Sequence, residues 1–140
     1  ALAAGAVGLM QRALDLSLAY AGERKQFGKP IAQFQLVQEH LAAMKLDLEA
    51  ARLLTYRAAW KKVKGEPYTL EASLAKLFAS EAANRVAYRA IQVHGGYGFF
   101  EEYEVARLYR DARILTLYEG TSEVQKLIIG AHLTGVRAFA

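Results

Sequence analysis

The sequence predicts an all-α domain, an antiparallel up-and-down four-helix bundle with one additional short helix. Three observations lead there. Apolar residues recur at helical spacing over most of the chain, segments bearing Gly or Pro separate those stretches, and the one segment that could pass for a strand has no partner elsewhere. At 140 residues the chain suits one domain, 1–140, because ordinary domains run to roughly 100–150 residues.

The first helix is marked by Leu2, Val7, Met10, Leu14 and Leu18, with Arg12, Asp15 and Glu23 elsewhere, and is expected to end near Tyr20. Gly22 and the segment to Gln33, with Gly28 and Pro30, interrupt the pattern. Phe34 to Lys64 has no Gly or Pro and carries two stripes. Val37, Leu41, Met44, Leu48 and Ala51 form one, and Leu46, Leu53 and Trp60 another, so neighbours are expected on two sides. Gly65, Glu66 and Pro67 end that helix, and Thr69 is expected to cap a third, running to about His94 with Leu74, Phe78, Ala82 and Val86 as its stripe. After Gly95, Gly96 and Gly98 comes a shorter helix from about Tyr103 to Arg113. Ile114 to Tyr118 is the strand-like segment, and without a partner it is assigned to a loop. Thr121 or Ser122 caps a last helix reaching roughly Val136.

Composition excludes several classes. The chain is 54% hydrophobic and 23% charged, which rules out intrinsic disorder. No uncharged stretch exceeds that from Ala1 to Gln11, short of the about 20 apolar residues a span needs, so no membrane contact is expected. With no Cys there is no disulfide framework or thiolate nucleophile, and redox chemistry would need a borrowed cofactor. The missing Cys and the single Asn84 fit a cytoplasmic, bacterial or archaeal and thermophilic source. A net charge of +4 suits an anionic ligand but is no polybasic tract; nucleic acid is not indicated. The chain opens without Met and directly in helical pattern, which reads as a fragment.

Three loops carry unusual chemistry. Arg24-Lys25-Gln26-Phe27-Gly28-Lys29-Pro30 sets three cations around an aromatic and a glycine. A guanidinium fork suits phosphate oxygens and Phe27 could cover a flat ligand; equally, the segment is a solvated turn complementing the preceding helix C-terminus. In Gln92-Val93-His94-Gly95-Gly96-Tyr97-Gly98, one Gly is explained by a helix C-cap, while three free backbone N–H groups for an anion or a ring. The cluster closes a helix rather than opening one, so it is not the dinucleotide fingerprint. In Leu117-Tyr118-Glu119-Gly120-Thr121-Ser122-Glu123, Glu119 follows five uncharged residues. Enclosure would raise its pKa and make it a base for a carbon acid, whereas placement at a helix N-terminus would lower it. Thr121 and Ser122 offer N–H groups at that helix start. His40, His94 and His132 lack metal-ligand spacing, so no metal is expected and they are assigned surface or loop roles.

Together with Ala3-Ala4-Gly5-Ala6-Val7-Gly8 and Phe34-Gln35, these three loops in this order resemble the C-terminal domain of the acyl-CoA dehydrogenase family almost end to end. The resemblance implies a chain whose N-terminal helical and middle β domains are absent here, FAD held between domains and subunits, and an isolated copy without activity. It implies that Arg24, Gln26 and Phe27 touch the FAD of a neighbouring subunit, helped by Gln35, Gln92, Gly95 and Gly96. Thr121 and Glu123 would contact the flavin of their own subunit, although Gln is common at the latter position. Glu119 matches the catalytic base, with Tyr118 and Gly120 beside the acyl chain. The implied reaction is α-proton removal from an acyl-CoA by Glu119 with β-hydride transfer to the flavin, leaving a trans-2-enoyl-CoA, as in fatty acid β-oxidation. Electron-transfer flavoprotein would take the electrons, and a homotetramer is implied. The alternatives are an acyl-CoA oxidase, or a non-catalytic helical assembly or nucleic-acid-binding module on the same bundle.

Overall fold

A computed structural model describes residues 1–138, so the expected domain limit at Ala140 lies outside the described residues. The order is α1 (Leu2–Glu23), a hairpin of β1 (Lys25–Gln26) and β2 (Lys29–Pro30), a 3-10 turn (Ile31–Gln33), α2 (Gln35–Val63), α3 (Thr69–His94), a second 3-10 turn (Gly95–Phe99), α4 (Glu104–Ile114) and α5 (Ser122–Thr134). Helices dominate as expected, with three long and two shorter members.

α3 is the axis on which the others lie, touching α1, α2, α4 and α5. Its composition explains this. Ala75, Ala79, Ala82, Ala83, Ala87 and Ala90 are all buried, so small side chains surround most of the helix and let neighbouring backbones approach closely. Larger groups fill between them: Met10 and Leu14 from α1, Met44 and Leu48 from α2, and Val105 and Leu108 from α4. Deleting one of these large side chains costs about 2–5 kcal/mol. Polar ties fix the register. Arg12 reaches Glu104 Oε2 with Nε and Nη2 at 3.1 and 2.6 Å, joining α1 to α4. Asn84 Nδ2 donates to Ala112 O at 2.9 Å, satisfying a carbonyl in the last turn of α4. Glu71, buried at the start of α3, accepts from Lys61 Nζ at 2.6 Å near the end of α2.

Several local expectations need correction. α1 continues through Gly22 to Glu23, because a glycine costs an exposed helix only about 1 kcal/mol, and Arg24 N–H still reaches Tyr20 O at 2.8 Å. On α1 the buried face is Ala6, Met10, Ala13, Leu14, Ser17 and Ala21, which leaves Leu18 half exposed. The residue flanking α3 at its start is Tyr68, with no side-chain cap, and Thr69 is already helical. α5 does end before Val136, at Gly135 with φ 73°, and Thr121 Oγ1 caps its start by accepting from Val124 N–H at 3.4 Å.

Two differences bear on function. The break after α1 contains a hairpin in which Lys25 faces Pro30 and Gln26 faces Lys29. On α2, the first stripe is packed, but Leu46, Leu53 and Trp60 are 72%, 67% and 63% exposed, so the second face has no neighbour among the described residues.

Candidate functional site

The first and second loops meet. The end of α1, the hairpin and the α3 C-terminus enclose a cleft of about 370 Å³, lined by Arg24, Gln26, Gln92, Gly95 and Gly96 together with Tyr20, Ile31, Val93, His94, Tyr97 and Phe100. Its geometry follows from two chain breaks. Gly95 adopts φ 60° and stops α3, and neither Gly95 nor Gly96 has any atom within 4 Å of where a Cβ would stand, so their backbone faces open space. Arg24 takes no part in the ion pairs among the described residues, and its guanidinium lies 5.3 Å from the centre of the Tyr97 ring. A cation without a carboxylate, an exposed glycine backbone and aromatic walls suit an anion attached to a flat ring.

Phe27 and Gln35 lie outside this cleft. Phe27 heads the hairpin with φ 53°, followed by Gly28 at φ 80°, and two positive φ values in a two-residue loop make a type I′ turn. That position favours Asn or Gly, yet an aromatic side chain holds it at 94% exposure, touched edge-on by Phe34 at 6.1 Å. Gln35 is the exposed first residue of α2.

The aromatic wall contains groups that loop motifs did not reveal. His94, given a surface or loop role from sequence, is instead the buried last residue of α3, stacked on Tyr20 with ring centres 4.3 Å apart. Its Nδ1 sits 2.8 Å from Ala90 O, which fixes the ring as a donor there, and burial holds its pKa below the ordinary histidine value. Helical spacing could have found it, since Ala87, Ala90 and His94 fall on one face. Burial likewise pushes the Tyr20 phenol upward.

The third loop is elsewhere. Lys76 Nζ donates to Gly120 O at 2.6 Å, and Lys76 and Gln92 are 16 residues apart on α3, about 24 Å at about 1.5 Å per residue. Leu115 to Gly120 form the turn expected of a loop, closed by Ser122 N–H donating to Thr116 O at 3.1 Å. That bond uses one of the two N–H groups expected to be free for a ligand. Gln125 Nε2 donates to Glu119 O at 3.3 Å, and Ser122 Oγ to Glu81 Oε1 at 2.6 Å. Glu119 has φ 55° and Gly120 φ 85°. Within this chain Glu119 is exposed and Tyr118 is only half covered, so the enclosure that would desolvate the carboxylate is not supplied by these helices. Glu123, exposed on the first turn of α5, is held below the usual carboxylate range by its own backbone N–H and by Thr121.

Among the described residues, the only non-glycine positions with positive φ are Phe27 and Glu119, one beside each constellation. Such conformations cost of order 1–3 kcal/mol and persist where the surroundings impose them. The described residues hold no cluster of three His, Cys, Asp or Glu suited to a metal, and no helix long and apolar enough to cross a membrane.

Comparison with known proteins gives one answer throughout. Residues 1–134 match the family model for the acyl-CoA dehydrogenase C-terminal domain. The chain is 53% identical over 132 residues to a probable acyl-CoA dehydrogenase, YngJ, of Bacillus subtilis, covering 94% of this chain and 35% of that protein. It is 50% identical, with the same coverage, to a 3-(aryl)acrylate reductase of Clostridium sporogenes. The solved structure of butyryl-CoA dehydrogenase from Megasphaera elsdenii superposes with a TM-score of 0.93 at 49% identity, over 94% of this chain and 34% of that one. The chain thus spans about a third of the length of the curated relatives it matches.

Proposed function

The chain belongs to the acyl-CoA dehydrogenase family, as its C-terminal domain, and from that premise we propose that it is the base-bearing, flavin-holding part of an enzyme that converts acyl-CoA thioesters to trans-2-enoyl-CoA. The observation that carries the proposal is the pairing of an anion-and-ring cleft with a carboxylate on a strained loop at the far end of the same helix.

The cleft fits FAD by its own chemistry. Arg24 offers a guanidinium that no carboxylate engages, Gly95 and Gly96 admit a close approach, and Gln26 and Gln92 add polar groups on opposite walls. Phe27 and Gln35 extend the contact beyond the rim. When bound, FAD supplies the acceptor for the substrate's β-hydride. Thr121 and Glu123, at the start of α5, lie by the third loop, whose tie to Lys76 is about 24 Å along α3 from Gln92, and this separation supports a reading in which they serve the flavin of their own subunit while Arg24 serves a neighbour's.

Glu119 is the base. Its carboxylate takes the proton from the carbon next to the thioester, and the C–H electron pair passes onto the thioester carbonyl as an enolate. The backbone N–H of Glu119 meets no acceptor among the described residues and donates to that oxygen. A preorganised donor of this kind is worth about 3–4 kcal/mol. Tyr118 and Gly120 flank the acyl chain. Water is excluded by surfaces beyond these helices, raising the strength of the base. The proton transfer is reversible, so the same carboxylate can return the proton when the reaction runs toward the saturated thioester. The enzyme is a cytoplasmic homotetramer that passes electrons to electron-transfer flavoprotein; the uncovered Leu46, Leu53 and Trp60 face supports the assembly.

An anaerobic titration of the full-length protein with acyl-CoAs of graded length tests this. Flavin absorbance should bleach, and Glu119→Gln should keep its FAD while slowing the bleaching by at least about a hundredfold. Normal bleaching by Glu119→Gln would remove the assigned base. Turnover with oxygen alone would mark an oxidase instead.

A further inference from the structure

Lys76 is a cation placed where a cation is costly. It is 7% exposed, on the side of α3 that faces the Glu119 loop. Its one hydrogen bond goes from Nζ to Gly120 O at 2.6 Å, and it joins none of the ion pairs among the described residues. Its only hydrogen-bond acceptor is a neutral carbonyl, and burial holds its pKa below the ordinary lysine value despite the carboxylates of Glu119, Glu81 and Glu123.

The benefit lies in the loop. Glu119 holds a left-handed conformation that a non-glycine residue resists and that needs outside restraint, and Gly120 follows it at φ 85° without such a cost. Gln125 provides two long hydrogen bonds, Nε2 to Glu119 O at 3.3 Å and to Gly120 O at 3.4 Å. Lys76 provides the shortest and the only charged one. With the Gly120 carbonyl drawn toward α3, the Glu119 side chain is turned out of the fold.

We propose that Lys76 is a positioning residue for Glu119, holding the strained Glu119 through Gly120 so that the carboxylate faces the substrate. The inference rests on the reading of Glu119 as the base. Lys76 also sets the charge around it. Glu119 of the loop, Glu81 of α3 and Glu123 of α5 all act on its ammonium, Lys126 of α5 is a further cation acting on Glu123, and Arg113 at the end of α4 is bound to Thr116 Oγ1 at 2.8 Å. Replacing Lys76 by a neutral side chain removes a cation on which these carboxylates act, which disfavours ionised Glu119 and moves the acidic limb of the rate profile to higher pH.

The test uses the full-length holoenzyme and stopped-flow flavin bleaching by acyl-CoA across pH. Lys76→Met should keep FAD, lower the bleaching rate about 10- to 100-fold, change the apparent substrate affinity less than about threefold, and shift the acidic limb upward. Lys76→Arg, which keeps the charge, should leave the limb at its wild-type position and recover part of the rate. A wild-type rate and limb in Lys76→Met overturns the proposal. So does a slow Lys76→Met whose limb has not moved and whose defect Lys76→Arg does not relieve, since that pattern marks a purely structural lysine. If Lys76→Met cannot be isolated with its flavin, Lys76→Arg decides alone, and an upward-shifted limb there is the refuting result. Glu119→Gln runs in parallel: normal bleaching by that variant defeats the base itself, whereas an inert Glu119→Gln beside a wild-type Lys76→Met defeats only the role of Lys76.

Discussion

Gly96 and Gly98 stand two residues apart in one motif, and the structure gives them opposite surroundings. A Cβ on Gly98 would lie 2.9 Å from His94 Cβ, 3.0 Å from Ile91 O and 3.1 Å from Ile91 Cα. Comfortable contacts between carbon atoms fall at about 3.5–4.0 Å, and two of these three neighbours are α3 backbone that cannot swing aside. Overpacking of this kind costs about 1–3 kcal/mol, offset by about 0.4–1 kcal/mol from the stiffer unfolded chain. Gly98→Ala should therefore lose about 1–2 kcal/mol and, in a protein of about three times this length, melt about 1–4 °C lower. A Cβ on Gly96 meets nothing within 4 Å, and its φ lies outside the left-handed region. Gly96→Ala should melt with the wild type or slightly above it, yet place a methyl on the cleft wall and weaken FAD binding about 10- to 100-fold. The assay is thermal melting of the flavin-free full-length protein by circular dichroism, paired with FAD titration by fluorescence quenching. Equal melting temperatures for Gly98→Ala and wild type, or a larger loss in Gly96→Ala than in Gly98→Ala, would refute the division between packing glycine and ligand glycine.

Leu53→Glu combined with Trp60→Glu places two charges on the uncovered face of α2; light scattering should report a smaller assembly with unchanged helix content, and an unchanged mass would refute that face as an interface. Glu71 is held below the usual carboxylate range chiefly by its hydrogen bond from Lys61. A depressed folded pKa stabilises the fold above the unfolded value of about 4.3 and ceases to do so as pH falls through the folded value. Denaturant midpoints measured from neutral to acid pH should fall less steeply for Glu71→Gln than for the wild type, and parallel slopes would contradict the assignment.

The helices were legible because each interior stripe repeats at a spacing that only a helix places on one face. The hairpin was not, since Phe-Gly is no standard turn dipeptide and the two strands together span only four residues. Its geometry depends on α1 ending at Glu23, so that Arg24 is extended, and on Ile31 N–H returning to Arg24 O at 2.8 Å, a closure that spacing alone does not encode. The second α2 stripe was visible in the sequence but its occupant was not, because periodicity reports that a face is apolar without saying what covers it. Lys76 lay within reach of the same reasoning: three and seven residues before the buried Ala79 and Ala83, it occupies an interior position on α3. Glu119 was found by the break in the pattern, while its exposure depends on surfaces that its own helices do not provide.

The backbone strain and the proposed division of labour point to the same assembly. Phe27 and Glu119 each hold a conformation that a non-glycine side chain resists, at a cost of order 1–3 kcal/mol apiece, and each is left exposed with few partners. If that strain were a by-product of packing, the strained residues would be buried among the contacts responsible. They sit instead beside two constellations separated by about 24 Å of rigid α3, a length that hairpin motion does not close. One chain thus presents two incomplete sites, each preorganised toward something outside it. Under the proposed function, a second copy related by two-fold symmetry would bring the cleft of one chain to the flavin beside the other chain's base and complete both sites at once. On that account flavin retention and assembly are a single equilibrium: dilution that separates subunits should release FAD, and changes at Arg24 should weaken both together.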